Sequence, residues 1–144
     1  MDQSSNETIE RIYHGWNDAL AHLTVENVGN LLSFYAPDAV LESPLVPHLM
    51  KTPTGVLRGH DELRKLLEEL ARTQPPTRKF YRTSYFTDGK KIIWEYPRAT
   101  PQGDQQDFVE VMEIENGLIK KHCVYWGWFG FGVIQRDEHH RKKS

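Results

Sequence analysis

The 144-residue sequence has a single cysteine, Cys123, so an intramolecular disulfide is impossible and a multi-cysteine metal site is excluded. It also has little net charge: 18 Lys and Arg against 20 Asp and Glu leave −2, which offers no electrostatic footprint for nucleic acid. No apolar run approaches the ~20 residues that a membrane span needs, and the polar start MDQSSNETIE lacks the apolar core of a signal peptide. We therefore expect a cytoplasmic protein without nucleic-acid or membrane partners.

Metal and cofactor motifs are missing as well. The histidines are scattered, and none forms a His-x-x-x-His or Glu-x-x-His pair on a predicted helix. No glycine-rich loop of the phosphate-binding type occurs, so we expect neither a metal nor a cofactor. The length fits one domain, which we place at residues 1–144, with an ordered core at about 6–133 and a charged C-terminal tail at 134–144.

Apolar residues at three-and-four spacing predict three helices in the first half of the chain. The first spans residues 6–22, with Asn6 or Thr8 as its cap. The second begins at Thr24 and ends at Pro37, because the residue before a proline avoids the helical region. The third spans residues 59–72.

A short strand and a loop separate the last two helices. Residues 39–44 alternate with a period of two, which places Leu41 and Ser43 on one face of a strand that Pro44 ends. Residues 45–57 read as an irregular loop, long enough to form the rim of a pocket.

The second half of the chain predicts two hairpins. Strands at 78–87 and 90–98 flank a two-residue turn at Asp88-Gly89, and one face of this hairpin is strongly aromatic. A second hairpin covers residues 104–132, with its turn at Asn116-Gly117. Three helices followed by mainly antiparallel strands predict an α+β fold, in which a strongly bent sheet wraps the helices and leaves a conical pocket.

The register of the second hairpin decides which side chains meet. A three-residue loop places Glu110 opposite His122, whereas a two-residue loop places Glu110 opposite Cys123 and His122 opposite Val111. We favour the first register because it gathers the apolar residues of both strands on one buried face, namely Met112, Ile114, Leu118, Val124 and Trp126.

A Glu–His pair in an apolar, aromatic wall suits acid–base chemistry. Burial and a neighbouring opposite charge shift the pKa of such groups in opposing directions. The same pair can equally be a satisfied polar contact without a catalytic role, because structural pairs also perturb pKa values. Both interpretations of Glu110 and His122 stay open on the residues alone.

Three phrases in order, FYAPDAVLESP, GVLRGHDELRKLLEEL and DFVEVMEIENGLIKKHCVYWGW, resemble the SnoaL-like and ketosteroid isomerase-like branch of the nuclear transport factor 2-like superfamily. The resemblance extends from about residue 8 to 131. It implies a cystatin-like cone with a pocket and a homodimer formed through the outer sheet face. Members include isomerases, polyketide cyclases, dehydratases, epoxide hydrolases and proteins without catalysis, so the fold does not imply one activity.

The ketosteroid isomerase pattern is met only in part. Ser43 stands where that family has its catalytic aspartate, and a serine cannot abstract the proton. Tyr13, or Ile12 after a one-residue slip, matches the tyrosine of the oxyanion hole, and Glu110 matches the protonated aspartic acid. His122 has no counterpart there. The departure at Ser43 argues against ketosteroid isomerase proper.

The resemblance therefore implies a cofactor-independent protein that acts on a small hydrophobic carbonyl compound. His122 would be the general base and Glu110 would orient it or donate a proton, in an isomerisation, cyclisation or dehydration of the polyketide cyclase type. The remaining pocket residues would bind substrate: Tyr13, Ser43, Trp94, Tyr96 and Trp126.

Two alternatives without catalysis compete with this enzyme. One is a binding module that holds a small hydrophobic ligand unchanged, which the missing carboxylate at Ser43 favours. The other is an interaction domain, because an apolar outer face of a sheet usually marks a partner. The residues of that predicted face are Val109, Val111, Cys123 and Tyr125.

Overall fold

The computed structural model describes residues 3–74, 82, 84–96 and 107–136. In these ranges the helices are α1 (Asn6–Ala21), α2 (Val28–Leu32), α3 (Leu45–Met50), α4 (Gly59–Thr73) and α5 (Trp128–Gln135), and a single 3₁₀ turn (Val25–Asn27) precedes α2. The strands are β1 (Tyr35–Glu42), β2 (Val56–Arg58), β3 (Phe86–Thr87), β4 (Lys91–Tyr96), β5 (Phe108–Glu115) and β6 (Leu118–Trp126). None of the described helices is both long and apolar enough to cross a membrane.

The strands form one open sheet in the order β2-β1-β6-β5-β4-β3. The β1–β6 pair is parallel and the other pairs are antiparallel, so the sheet is mixed and mostly antiparallel. Apolar side chains of α1, α2 and α4 pack against the inner face of this sheet in one buried cluster. The predicted α+β class is confirmed.

Helix α1 follows its sequence pattern closely. Its apolar stripe is buried, as the spacing predicts. The cap is neither predicted candidate but Ser5, the residue before Asn6, whose side chain accepts a hydrogen bond from the Thr8 N–H at 3.1 Å.

The second predicted helix is too long. Helical structure ends at Leu32, and the chain enters β1 at Tyr35. Two local preferences explain the earlier change: Ala36 precedes a proline, and aromatic residues such as Tyr35 favour strands. Pro37 is tolerated inside β1 because the pairing with β6 is irregular between Tyr35 and Val40.

The segment 45–57 is not the irregular loop that the sequence predicts. It contains α3, which is followed by Lys51 with a left-handed φ of 59°, and then β2, which pairs with β1. The prolines that suggested a loop lie at positions that tolerate them, because Pro44 caps α3 and Pro47 lies in its first turn. The predicted faces of β1 are confirmed, since Leu41 and Ser43 are buried and Glu42 is exposed.

The first hairpin has a longer loop than predicted. Thr87 pairs with Ile92, so four residues lie between these paired residues where the sequence predicted two. The described part of β3 is limited to Phe86–Thr87, and the predicted strand segment 78–81 lies outside the described residues. The aromatic inner face of β4 is confirmed.

The chain after β6 forms helix α5, whereas the sequence predicted the end of the second hairpin up to residue 132 and a charged tail from residue 134. Helix α5 buries Ile134, and residues 137–144 lie outside the described residues. Asp107 holds the beginning of α5: its carbonyl oxygen accepts from Gly127 N–H at 2.7 Å and its carboxylate accepts from Gly130 N–H at 2.5 Å. The carboxylate satisfies amide groups that a helix start leaves without partners.

Candidate functional site

The turn of the β5–β6 hairpin differs from the favoured register. Asn116 and Gly117 both have positive φ, 53° and 76°, and Glu115 pairs with Leu118 across a two-residue loop. This is the turn that an Asn-Gly pair prefers, because two left-handed residues match the twist of the strands. The predicted three-residue loop is therefore wrong.

A β-bulge then changes the pairing again. Ile114 pairs with Ile119 but Glu113 pairs with Lys121, which leaves Lys120 as the extra residue. Beyond the bulge Met112 lies opposite His122, so neither predicted partner of His122 is correct.

Although the predicted loop length is wrong, the predicted inward-facing residues beyond the bulge are correct. The two-residue turn alone would place His122 on the outer face of the sheet. The bulge adds one residue to β6, which moves the rest of that strand back to the inner face. Glu110, Met112 and His122 are consequently all buried on the inner face, as the favoured register predicted. Near the turn the buried residue is Ile119 rather than the predicted Leu118.

Glu110 and His122 are diagonal neighbours on this face, and they are in contact. His122 Nε2 lies 2.7 Å from Glu110 Oε1, and both side chains are almost completely shielded from solvent. A buried carboxylate needs such a partner, because removal from water without one costs several kcal/mol or more. The pair therefore has a structural role, whatever chemistry it performs.

The other ring nitrogen of His122 also has a partner. Tyr35 Oη lies 2.8 Å from His122 Nδ1, and the Trp16 indole N–H donates to the same Tyr35 oxygen at 3.0 Å. Helix α4 fixes the backbone of Tyr35, since His60 Nε2 donates to its carbonyl oxygen at 2.9 Å. The four side chains Trp16, Tyr35, His122 and Glu110 thus form one buried chain of hydrogen bonds, which we call the core relay.

The hydrogen-bond donors and acceptors of the core relay indicate which atoms carry its protons. Tyr35 accepts from Trp16, so its own O–H donates to His122 Nδ1, the acceptor that the contact supplies. His122 then carries its proton on Nε2 and donates to Glu110. In this arrangement every member of the core relay has a hydrogen-bond partner.

Burial raises the pKa of two tyrosines at this site. The pKa of Tyr35 lies far above its ordinary value because the hydroxyl is buried, and the negative charge of Glu110 adds to the effect. The pKa of Tyr96 is raised for the same reason, and Glu110 raises it further through its charge and a hydrogen bond. Both hydroxyls therefore stay protonated near neutral pH and act as donors.

A cavity of about 90 Å³ lies beside the core relay. Seven leucines from α1 to α4 and from β1 line it, together with Phe108 and Val124 from the hairpin. The polar side chains in the lining are Trp16, Tyr35, Ser43, Gln74, Glu110, His122 and Trp126.

The cavity brings together four of the predicted site residues. Glu110, His122, Ser43 and Trp126 line it, and the Ser43 hydroxyl accepts a hydrogen bond from the Leu45 N–H at 3.2 Å. Whether these residues act on a ligand stays a prediction.

The other three predicted site residues do not line this cavity. Tyr13 packs edge-on against Trp94 at 5.1 Å, and its hydroxyl accepts from Arg82 Nε at 3.0 Å. Tyr96 stacks on Phe108 at 4.2 Å. Their places in the structure are those of core residues beside the site.

Two members of the core relay were missed as site residues by the sequence reasoning. Tyr35 falls within the second predicted helix and Trp16 within the first, and the sequence patterns mark neither as a site residue. The signal for Tyr35 was present in the Phe-Tyr-Ala-Pro segment, because aromatic residues before a proline favour an extended chain. For Trp16 no local signal existed, since its partner lies 19 residues further along the chain.

No group of three or more His, Cys, Asp or Glu side chains is placed to hold a metal ion within the described part of the chain.

Comparisons with known proteins agree on the fold. The sequence profile of the SnoaL-like domain matches residues 9–122, well over half of the chain. No curated protein shows significant sequence similarity.

Solved structures with the same fold share little sequence with this chain. A SnoaL-like protein of unknown function from Burkholderia thailandensis is 18% identical with a TM-score of 0.68, and the match covers 88% of this chain and 99% of that one. An NTF2-like protein of unknown function from Mesorhizobium loti is 22% identical with a TM-score of 0.60, covering 88% and 97%.

A de novo designed protein with a curved β-sheet is also similar, at 18% identity and a TM-score of 0.63 over 92% of this chain and 95% of that one. Identities this low show the fold alone, and a likeness to a designed protein carries no activity with it. The fold supports a small-molecule-binding or isomerase-like domain. With a profile match over residues 9–122, the chain belongs to the SnoaL-like domain family.

Proposed function

We propose that this protein is a cofactor-independent enzyme that moves a proton at the carbon next to a carbonyl group, with Glu110 as the proton carrier. The observation that carries the proposal is the carboxyl group of Glu110 in the lining of an apolar cavity, where His122 holds it at 2.7 Å. A carboxylate offers about four acceptor positions, so it keeps capacity for a substrate proton.

The geometry favours Glu110 as the base and His122 as the residue that orients it, which reverses the roles that the sequence suggested. A general base must reach the proton that it removes, but both ring nitrogens of His122 are engaged, one by Tyr35 and one by Glu110. His122 is therefore a positioning residue in this proposal, and it orients the carboxylate of Glu110.

The proposed step conserves atoms and charge. The Glu110 carboxylate takes a proton from the carbon next to the carbonyl, and the electron pair of that C–H bond moves toward the carbonyl oxygen to give an enolate. Glu110, now a neutral acid, returns the proton to another carbon of the same conjugated system. The product is an isomer of the substrate, so no oxidant, reductant or cofactor is required.

The cavity volume favours a small substrate. Ligand pockets for drug-sized molecules typically measure about 300–1,000 Å³, whereas this cavity measures about 90 Å³. A monocyclic or short-chain ketone suits that volume better than the steroid-sized or polyketide-sized compounds that the family resemblance suggests.

Hydrogen exchange tests the proposal without knowledge of the natural substrate. Cyclohex-2-enone would be incubated with the protein in D₂O, and loss of its exchangeable C–H signals would be followed by proton NMR. We expect exchange above the buffer rate for the wild type, and a loss of at least about 100-fold in Glu110→Gln, since general acid–base catalysis contributes roughly 10²–10⁴.

Glu113→Gln is the matched control. It makes the same chemical change on the same strand, but Glu113 pairs with Lys121 beyond the bulge and is not part of the cavity lining. Equal exchange rates in wild type and Glu110→Gln, at unchanged melting temperature, would overturn the assignment of Glu110.

A binding module without catalysis is the second candidate, and Ser43 favours it. Ser43 lines the cavity at the position where the resembling isomerases carry their catalytic aspartate, and its hydroxyl is engaged with the Leu45 N–H. This candidate predicts that the wild type binds cyclohex-2-enone and that the enone shows no exchange above buffer.

A further inference from the structure

The indole N–H of Trp126 is buried and has no hydrogen-bond partner. The side-chain oxygen Oε1 of Gln74 is in the same situation. Both residues line the cavity beside the core relay. Buried polar atoms in folded proteins nearly always have partners, so two unpaired atoms in one cavity indicate a place where something else binds.

The position of Trp126 is set by its strand. Val124 lies opposite Glu110, and Trp126 follows two residues later on the same face. Glu110 is thus flanked by His122 on one side and by Trp126 on the other, as diagonal neighbours within about 7–8 Å. A molecule held against the Glu110 carboxylate lies next to this indole.

The surrounding chain holds the indole ring in place. It stacks on Phe108 at 4.7 Å, and Phe108 stacks in turn on Tyr96 at 4.2 Å. A Cβ atom at Gly130 would lie 2.7 Å from Cε3 of Trp126, so the glycine allows α5 to close over the ring. The indole is therefore fixed by contacts on more than one side, although its N–H has no partner.

The two unpaired atoms differ in chemistry. The indole N–H can only donate a hydrogen bond, so it selects an acceptor on the ligand. The Gln74 oxygen can only accept, so it selects a donor. A ligand that satisfies both carries an acceptor and a hydroxyl or similar donor on a small apolar frame.

We infer that Trp126 is a specificity-determining residue that donates its indole N–H to the carbonyl oxygen of the substrate, while Gln74 accepts from a hydroxyl group of the same molecule. The inference rests on the proposed function and names its substrate class as small hydroxylated ketones or enones. A donor at the carbonyl oxygen also stabilises the charge that develops there when Glu110 removes the proton.

The test compares three small ligands: cyclohexene, cyclohex-2-enone and 4-hydroxycyclohex-2-enone. Their dissociation constants would be measured by ligand-observed NMR for the wild type, Trp126→Phe and Gln74→Met. A single hydrogen bond corresponds to a roughly three- to tenfold change in affinity. We expect the wild type to prefer the enone over cyclohexene, and the hydroxyenone over the enone, by about that factor each.

Each variant removes one preference. Trp126→Phe keeps an aromatic ring against Phe108 but lacks the N–H, so its preference for the enone over cyclohexene should fall to about one. Gln74→Met should lose only the preference for the hydroxyl group. Trp128→Phe is the control, because it makes the same change at an indole that is 86% exposed and should leave both ratios unchanged.

The outcomes separate this inference from the proposed function. An unchanged enone-to-cyclohexene ratio in Trp126→Phe overturns the inference, and it does so whether or not Glu110→Gln abolishes hydrogen exchange. A ratio that falls as expected, in a wild type without exchange, supports the indole contact and leaves the binding module as the function. Equal affinity of the wild type for all three ligands also overturns the inference.

Discussion

Two clusters in this molecule contain the same three residue types, one at the surface and one in the core. In the surface cluster, Glu10 accepts from Tyr85 and lies 2.7 Å from His14. In the core cluster, His122 lies between Tyr35 and Glu110, and its distance to Glu110 is also 2.7 Å. The Glu–His distances are equal, so geometry alone does not distinguish the two pairs.

Exposure distinguishes them. The side chains of His14 and Glu10 are 65% and 52% exposed, whereas those of His122 and Glu110 are 3% and 6% exposed. Water screens the surface pair and replaces either partner when the other is removed. In the core no water substitutes, so each hydrogen bond must be made by a particular residue. The hydrogen bond between Glu and His is therefore dispensable for stability at the surface and required for it in the core.

The largest expected effect comes from breaking each pair at its histidine. His122→Ala removes the histidine partner of a buried carboxylate, which costs about 3–5 kcal/mol of unfolding free energy and lowers Tm by roughly 10 °C in a domain of this size. His14→Ala should leave Tm unchanged. Calorimetry on both variants checks the contrast, and equal Tm values for the two would contradict the buried-pair interpretation.

A smaller effect is expected from the tyrosine of each cluster. Tyr35→Phe leaves His122 Nδ1 and the Trp16 N–H without their shared partner, at a cost of about 2 kcal/mol for unsatisfied buried groups. Tyr85→Phe removes a hydroxyl that water replaces, so Tm should not change measurably. Urea unfolding of both variants would measure the difference. A Tyr35→Phe midpoint equal to that of the wild type would show that the core relay is not continuous.

The hydrogen bonds of the core relay also predict which ring nitrogen of His122 carries the proton. The donor and acceptor balance places the proton on Nε2 and leaves Nδ1 as an acceptor. Nitrogen-15 NMR of the imidazole distinguishes a protonated from an unprotonated ring nitrogen. We expect the wild type to show the Nε2–H form near neutral pH, and Tyr35→Phe to show a mixture of tautomers. Protonation of both nitrogens in the wild type would contradict the assignment.

Local patterns predicted the faces of the elements better than their pairings. The stripe of α1 and the inner face of β4 depend on a few neighbouring residues, and both are as expected. The register around His122 depends on a bulge at Lys120, whose ion pair with Asp38 of β1, at 2.5 Å, joins distant parts of the chain. The Asn-Gly preference holds at the turn and the apolar pattern holds beyond the bulge, because the extra residue of the bulge makes the two compatible.

The core relay shows more clearly which contacts could not be predicted from local sequence patterns. Glu110 and His122 were found because one hairpin carries both, but Tyr35 reaches His122 from a strand that pairs in parallel with β6. Parallel pairing across a long connection leaves no local signal in the sequence. The volume of the cavity depends on the packing of helices against the sheet, so it too could not be predicted from spacing.

The smallest expected effect concerns the ionisation of the surface tyrosine. The hydrogen bond to Glu10 raises the pKa of Tyr85 to about 12, and lowers the pKa of Glu10 itself. Because the folded-state pKa of Tyr85 is raised, the associated stabilisation is complete below the ordinary pKa of 10 and is lost as the pH rises toward 12.

Glu10→Gln should return the ionisation of Tyr85 toward pH 10, because a neutral amide neither repels the phenolate nor requires its proton. Carbon-13 NMR of the tyrosine ring follows this transition, and Tyr85→Phe assigns it by its disappearance. Glu110→Gln is the matched change in the core, and it should leave the Tyr85 transition where it was. If Glu10→Gln did not move the transition, burial rather than the carboxylate would be the cause of the raised pKa of Tyr85. The surface cluster would then resemble the core cluster, where burial is the main reason that the pKa of Tyr35 is raised.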